Sequence, residues 1–93
     1  TRVVDIIDEL EQYLVQVEVV DPWVNSVAAK EELGVSLVAA PGAGIYDAVI
    51  LAVAHDEFRQ LGVSGIREFC RNAGSVVYDV KSIFPLGTVD GRL

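Results

Sequence analysis

The stretch YDAVILAVAHDEF, residues 46–58, contains the strongest strand signal in the chain. Six apolar residues, Ala48–Val53, follow one another without a break, and the polar pair His55 and Asp56 comes soon after them. An apolar run of this length without alternation is typical of a strand that is buried on both faces, as in parallel sheets. We therefore predict a fully buried strand over residues 46–54 and a helix that begins at Asp56.

The residues before this strand show a helical pattern and then strand patterns. Apolar residues at helical spacing predict an amphipathic helix over Arg2–Leu14. Alternating valines predict a strand over 15–20. A second helix is expected over 25–34, followed by a short strand, VSLVAA, over 35–40. The glycine-rich PGAG segment then predicts a loop that leads into the buried strand.

The residues after the buried strand predict two short helices and a last strand. The first helix is expected to run from Asp56 to Leu61, and the second to be capped by Ser64 and to end at Gly74. SVVYDV, residues 75–80, predicts the last strand, and the remaining tail is expected to be irregular. Alternating strands and helices indicate an α/β domain with a mostly parallel sheet covered by helices.

Composition limits the classes of protein and partner. The 93 residues predict a single domain, and a hydrophobic content of 52% excludes disorder. The apolar runs are far shorter than the roughly 20 residues that cross a membrane. The net charge of -7 argues against a nucleic-acid partner. A single cysteine cannot crosslink the fold, so we expect a cytoplasmic protein.

Three polar residues lie at the ends of predicted strands and are the main candidates for a site: His55, Asp79 and Lys81. Ligands of open α/β sheets bind beyond the carboxyl ends of the strands. Lys81 could offer a cation to a phosphate or carboxylate, with Asp79 holding it in place. The alternatives are that His55 is an ordinary polar loop residue and that Lys81 is a solvated lysine paired with its neighbour.

Other features carry weaker signals. Asp21 and Trp23 end a predicted strand, and Asp21 could accept a hydrogen bond from a ribose hydroxyl or simply open a turn. Arg92 could reach an anion or a partner subunit, although a frayed tail is the preferred interpretation. The GAGIYD segment, residues 42–47, fails as a dinucleotide fingerprint because its third position is acidic and a strand follows it. Cys70 has apolar helical neighbours, which favours a small core thiol over a nucleophile.

Four short segments in this order resemble one known family: VVDII, VDPW at 20–23, AVAHDEF and YDVK. The resemblance is to the carboxyl-terminal UDP-binding domain of the UDP-glucose/GDP-mannose dehydrogenase family, and above all to bacterial members that act on UDP-N-acetylhexosamines. It covers nearly all of residues 1–93. It implies a Rossmann-like three-layer domain whose first central strand is missing, because the chain starts on a helix.

The resemblance also implies an activity for the whole enzyme. Family members use NAD to oxidise the C6 alcohol of a UDP-sugar to a carboxylate for capsule or O-antigen synthesis, and homo-oligomers are expected. The NAD-binding and catalytic parts are expected outside this chain, and Cys70 does not match the family's catalytic cysteine. Lys81 matches a basic residue that contacts substrate, and His55 is carried over only as a neighbour of the site.

Two other functions remain to be weighed against the dehydrogenase domain. The chain could be a stand-alone nucleotide- or anion-binding module without enzymatic activity. A signalling domain of the response-regulator type fits the size, but the acidic cluster that such domains need is not evident around AVAHD.

Overall fold

The computed structural model of the chain describes residues 2–20, 37–38 and 40–93. The chain divides into an amino-terminal unit that ends at Pro41 and a carboxyl-terminal unit, Gly42–Leu93. Some predicted features lie outside the described residues: the helix over 25–34, Asp21 and Trp23.

The amino-terminal unit begins with the predicted amphipathic helix, α1, Arg2–Gln12. Ile7 on its apolar face is buried, with 4% of its surface exposed. The helix ends before the predicted Leu14, because Leu14 adopts a left-handed conformation with φ 61°. The N–H of Val15 then donates to the carbonyl of Leu10 at 3.3 Å, which closes the helix in the manner of a Schellman motif.

The strand predicted over 15–20 is wrong. The segment contributes only an isolated parallel bridge, in which Val19 faces Leu37. The N–H of Val38 donates to the carbonyl of Val19 at 2.9 Å. Alternating valines favour an extended backbone, but a strand also needs paired neighbours along its length, and within 15–20 only Val19 is bridged to another described residue.

The carboxyl-terminal unit is a parallel sheet with a crossover helix. Its elements are β1, Ala48–Leu51; α2, Asp56–Arg67; β2, Val76–Asp79; and β3, Gly91–Arg92. The strand order is β1-β2-β3, and both pairs are parallel. The predicted α/β alternation and parallel sheet are therefore confirmed in this unit.

The core of this unit lies on the face of the sheet that α2 covers. Leu51 is paired with Asp79 across the sheet, and Val77 on the same face of β2 is completely buried. Ile66 from α2 and Phe84 from the segment after β2 complete this buried cluster.

β1 is shorter and less buried than predicted. It begins at Ala48, which is exposed, and of its four residues only Leu51 is fully buried. The prediction of burial on both faces assumed a central strand. In the sheet formed by the described residues β1 is instead an edge strand, so it has a neighbouring strand on one side only.

α2 contains the break that the sequence predicted between two helices, at Gly62, where φ is 70° and ψ is 171°. The predicted extension to Gly74 is wrong, because the helix ends at Arg67. Its last turn tightens, with the N–H of Phe69 donating to the carbonyl of Ile66 at 3.2 Å. Phe69 and Cys70 lie beyond the helix and are partly buried against the core.

The tail that was predicted to be irregular contains β3, and Arg92 lies within this strand instead of in a frayed end. β3 lacks an apolar alternating pattern, and its pairing depends on a side chain just before it. Asp90 donates its N–H to the carbonyl of Val77 at 2.9 Å and accepts the N–H of Val77 on its carboxylate at 2.8 Å. The carboxylate thus takes the place of a main-chain acceptor.

Candidate functional site

The three strands of the carboxyl-terminal unit end at the same edge of the sheet, because they are parallel. Leu51, Asp79 and Arg92 lie side by side in the register of β1, β2 and β3. The chain that continues beyond these positions carries His55 after β1 and Lys81 after β2. We call this side of the sheet the carboxyl edge, and it is where open α/β sheets bind their ligands.

Lys81 lies in the turn after β2, and its side chain is exposed. It takes part in none of the ion pairs or side-chain hydrogen bonds found among the described residues. Its ammonium group is therefore available to an anion that approaches the carboxyl edge. The sequence predicted Lys81 after the last strand; β3 follows β2, so Lys81 lies after the second of the three strands of this sheet.

The sequence predicted that Asp79 holds Lys81 in place, and this prediction is wrong. Its side chain is completely buried, and Oδ2 accepts the main-chain N–H of Phe84 at 2.8 Å. The chain turns at Ser82, where φ is 54°, so the Lys81 side chain is exposed while the Asp79 carboxylate faces the core. Asp79 therefore anchors the turn that carries Lys81, and it does so from inside the protein.

The same turn is held by residues that the sequence did not identify as a group. The hydroxyl of Ser82 donates to the carbonyl of Leu93. The guanidinium of Arg92 donates to the carbonyl of Phe84 at 3.0 Å. The DGRL segment contains Arg92, which makes one of these contacts. It has no periodic pattern that would identify it as a strand beside β2.

His55 is the N-cap residue of α2, in an extended conformation with φ −69° and ψ 140°. Its carbonyl accepts the N–H of Phe58 at 3.0 Å. Its half-buried imidazole packs edge to face against the Phe58 ring, with the ring centroids 5.5 Å apart. The loop before it is fastened by Arg59, which donates to the carbonyl of Ala54 at 2.9 Å.

The amino terminus of α2 is unfavourable for a phosphate in spite of its dipole. Helix amino termini attract anions through their unpaired N–H groups. Here the first turn carries the exposed carboxylates of Asp56 and Glu57, and only Asp56 has a cationic partner among the described residues, Arg59 at 3.1 Å. Among the described residues, the exposed Lys81 on the β2 side of the carboxyl edge is therefore a more favourable place for an anion than the start of α2.

The glycine-rich segment 42–47 does not fit a dinucleotide. Gly44 has a left-handed conformation with φ 68°, but the segment leads into β1 and not into a helix. Asp47 occupies the third position and pairs with Arg71 at 3.5 Å. The cradle for a pyrophosphate requires a helix amino terminus after the glycines, so this segment provides no site for NAD.

Neither a metal cluster nor a membrane span is found in the part of the chain that the structure describes. Within residues 2–20, 37–38 and 40–93, no group of three or more His, Cys, Asp or Glu residues is arranged to hold a metal ion. In the same ranges, no helix is both long and apolar enough to cross a membrane.

Comparison with known proteins places the chain in a family. Residues 1–85 match the model of the UDP-glucose/GDP-mannose dehydrogenase family, UDP binding domain. The chain belongs to this family. The resemblance found in the sequence is thus confirmed, and the parallel α/β sheet agrees with it.

Two curated relatives carry the name UDP-N-acetyl-D-glucosamine 6-dehydrogenase. The protein from Pseudomonas aeruginosa is 45% identical and the one from Salmonella typhi 38% identical, each over all 93 residues of this chain. The chain spans 22% of the length of each of these relatives. No solved structure matched the chain.

Proposed function

We propose that this chain binds the UDP part of a nucleotide sugar as the carboxyl-terminal domain of a UDP-sugar 6-dehydrogenase. Its family and the names of its two relatives support this assignment, and they favour UDP-N-acetylglucosamine as the sugar nucleotide. The enzyme would oxidise the C6 alcohol of the sugar to a carboxylate for capsule or O-antigen synthesis.

The observation that carries the proposal is the exposed Lys81 at the carboxyl edge, which has no ion-pair partner among the described residues. A diphosphate offers several charged oxygens, and hydrogen bonds between an ammonium group and such oxygens are stronger than neutral ones. Since α2 presents carboxylates at its amino terminus, Lys81 is the group that favours the diphosphate at this edge. We propose that His55 lies beside the bound nucleotide and that Asp79 acts on it only through the turn.

The redox chemistry belongs to other parts of the enzyme in this proposal. NAD would be bound outside these 93 residues, as the family resemblance implies, and the misfit of the segment 42–47 to a dinucleotide supports this. Cys70 packs against the core and is not assigned a role in the reaction. The whole enzyme is proposed to be a homo-oligomer, as the family resemblance implies, and to be cytoplasmic, for which the single cysteine is the support from this chain.

Calorimetric titration of the chain with UDP and, separately, with NAD tests the assignment. We expect saturable binding of UDP and none of NAD. Lys81→Gln should weaken UDP binding about tenfold, which corresponds to about 1.4 kcal/mol. Arg71→Gln is the matched control, because it removes one positive charge near the opposite ends of the strands, where Arg71 pairs with Asp47.

Three results would contradict the proposal. No saturable binding of UDP would exclude a nucleotide site in this chain, and binding of NAD would point to a different half of a dehydrogenase. An equal loss of UDP affinity in Lys81→Gln and Arg71→Gln would show that overall charge, and not Lys81 at the carboxyl edge, attracts the nucleotide.

A further inference from the structure

We propose that β3, together with Leu93 directly after it, is a positioning element for Lys81, and that Arg92 is the side chain of β3 that contacts the turn that carries the lysine. The inference rests on the proposed function, because it gives Lys81 the role of a UDP contact. It concerns residues that lie beyond the family match, which ends at residue 85. The two curated relatives nevertheless align with the chain over all 93 residues.

Lys81 lies in a turn whose two ends are tied to Asp79. At the near end, the carbonyl of Asp79 accepts the N–H of Ser82 at 3.3 Å. At the far end, the carboxylate of Asp79 accepts the N–H of Phe84 at 2.8 Å. These two bonds define the path of the backbone on both sides of Lys81, but both come from β2 itself.

β3 closes the turn from the other side. Arg92 donates to the carbonyl of Phe84 at 3.0 Å, so Phe84 is held through both its N–H and its carbonyl. Leu93 accepts the hydroxyl of Ser82 on its carbonyl and donates its N–H to the carbonyl of Asp79 at 3.4 Å. Because Ser82 is a non-glycine residue with φ 54°, its conformation needs such contacts to persist.

β3 is in turn fixed to the buried part of the sheet. Asp90 pairs with Val77 through both its N–H and its carboxylate. Arg67, in the last turn of α2, donates to the carboxylate of Asp90 at 3.1 Å and to the carbonyl of Thr88 at 3.3 Å. The contacts that hold Lys81 therefore lead from the exposed turn through β3 to the completely buried Val77.

A double-mutant cycle separates a positioning role from direct contact with the ligand. If Arg92 acts through Lys81, Arg92→Ala weakens UDP binding about fivefold in the wild-type background, as expected for one lost hydrogen bond. The same change should have less than about a twofold effect in Lys81→Ala, because coupled residues are not additive. Arg92→Lys, which keeps a donor for the Phe84 carbonyl, should recover much of the affinity.

The matched control for charge is Arg71→Ala. Arg71 also donates to a main-chain carbonyl, that of Ile45 at 3.3 Å, but this contact lies before β1, away from the carboxyl edge. We expect Arg71→Ala to leave UDP affinity unchanged. The proposal is wrong if Arg92→Ala has the same effect with and without Lys81, or if Arg71→Ala weakens binding as much as Arg92→Ala does.

Amide hydrogen exchange tests the positioning role without any ligand. Arg92→Ala should speed the exchange of the Ser82 and Phe84 amides, while Arg71→Ala should leave them unchanged. If these amides exchange at wild-type rates in Arg92→Ala, β3 does not hold the turn and the inference is overturned. If exchange speeds up but wild-type protein fails to bind UDP, the turn is held as proposed and it is the proposed function that fails.

Discussion

The carboxylate of Asp79 accepts the main-chain N–H of Phe84 at 2.8 Å, although the Asp79 side chain is completely buried. Its other oxygen, Oδ1, accepts no hydrogen bond from the described residues. A buried carboxylate is costly unless its hydrogen bonds compensate for its lost hydration. Asp79 therefore acts as an acceptor inside the fold.

Replacing Asp79 tests its role as an acceptor for the N–H of Phe84. Asp79→Ala leaves the buried N–H of Phe84 without its acceptor, and we expect a loss of about 1–3 kcal/mol in the free energy of unfolding. Asp79→Asn keeps an acceptor oxygen for this N–H, so its cost should be smaller. Urea unfolding measures both. Equal losses in the two variants would show that an acceptor oxygen for the Phe84 N–H is not sufficient at this position.

The pH dependence of stability should report the pairing of Asp90. The hydrogen bond from the N–H of Val77, and then that from the guanidinium of Arg67, hold the pKa of Asp90 below its ordinary value. A carboxyl with a lowered folded-state pKa stabilises the protein above its unfolded pKa of about 4. That contribution is lost as the pH falls through the lower pKa of the folded state.

Comparison with Asp90→Asn isolates this carboxyl from the other acids. The asparagine side chain of the variant still offers an oxygen to the N–H of Val77 but does not titrate in this range. We expect the difference in unfolding free energy between wild type and variant to be constant from pH 7 to about pH 5 and to shrink below about pH 4. A difference that stays constant down to about pH 2.5 would contradict the lowered pKa of Asp90.

The sequence predicts those elements whose apolar residues recur at the spacing of a helix or a strand. The run around Leu51, the apolar face of α1 and the strand that ends in Asp79 all follow from apolar spacing, and all three are present. The break at Gly62 follows from composition, since glycine in a helical pattern marks a weak point.

The elements that the sequence did not predict depend on single polar contacts. β3 is held by the carboxylate of Asp90, whose partner, Val77, lies 13 residues earlier in the chain. The Asp79 carboxylate likewise bonds to Phe84 rather than to Lys81. No periodicity encodes such pairings, so the carboxyl edge could be placed from the sequence but the network that shapes it could not.

Gly62 is required for its backbone conformation. Its φ of 70° with ψ of 171° is a combination open essentially to glycine, and an added Cβ would meet no atom within 4 Å. We expect Gly62→Ala to lower the free energy of unfolding by about 1–3 kcal/mol through backbone strain alone. Gln60→Ala, at an exposed position of the same helix, is the control and should be nearly neutral. If Gly62→Ala has the same free energy of unfolding as the wild type, the conformation at Gly62 does not require glycine.

Gly91 allows β3 to lie against the ring of Tyr78. A Cβ added at Gly91 would come within 2.6 Å of Cδ2 and 2.7 Å of Cε2 of that ring, which is closer than van der Waals contact permits. Gly91→Ala must therefore displace the ring or the strand, and we expect a loss of about 1–3 kcal/mol in unfolding free energy. If this contact is the cause, Gly91→Ala should cost much less in a Tyr78→Thr background, because Thr lacks the ring. Equal costs in both backgrounds, measured by urea unfolding, would show that Gly91 is required for another reason.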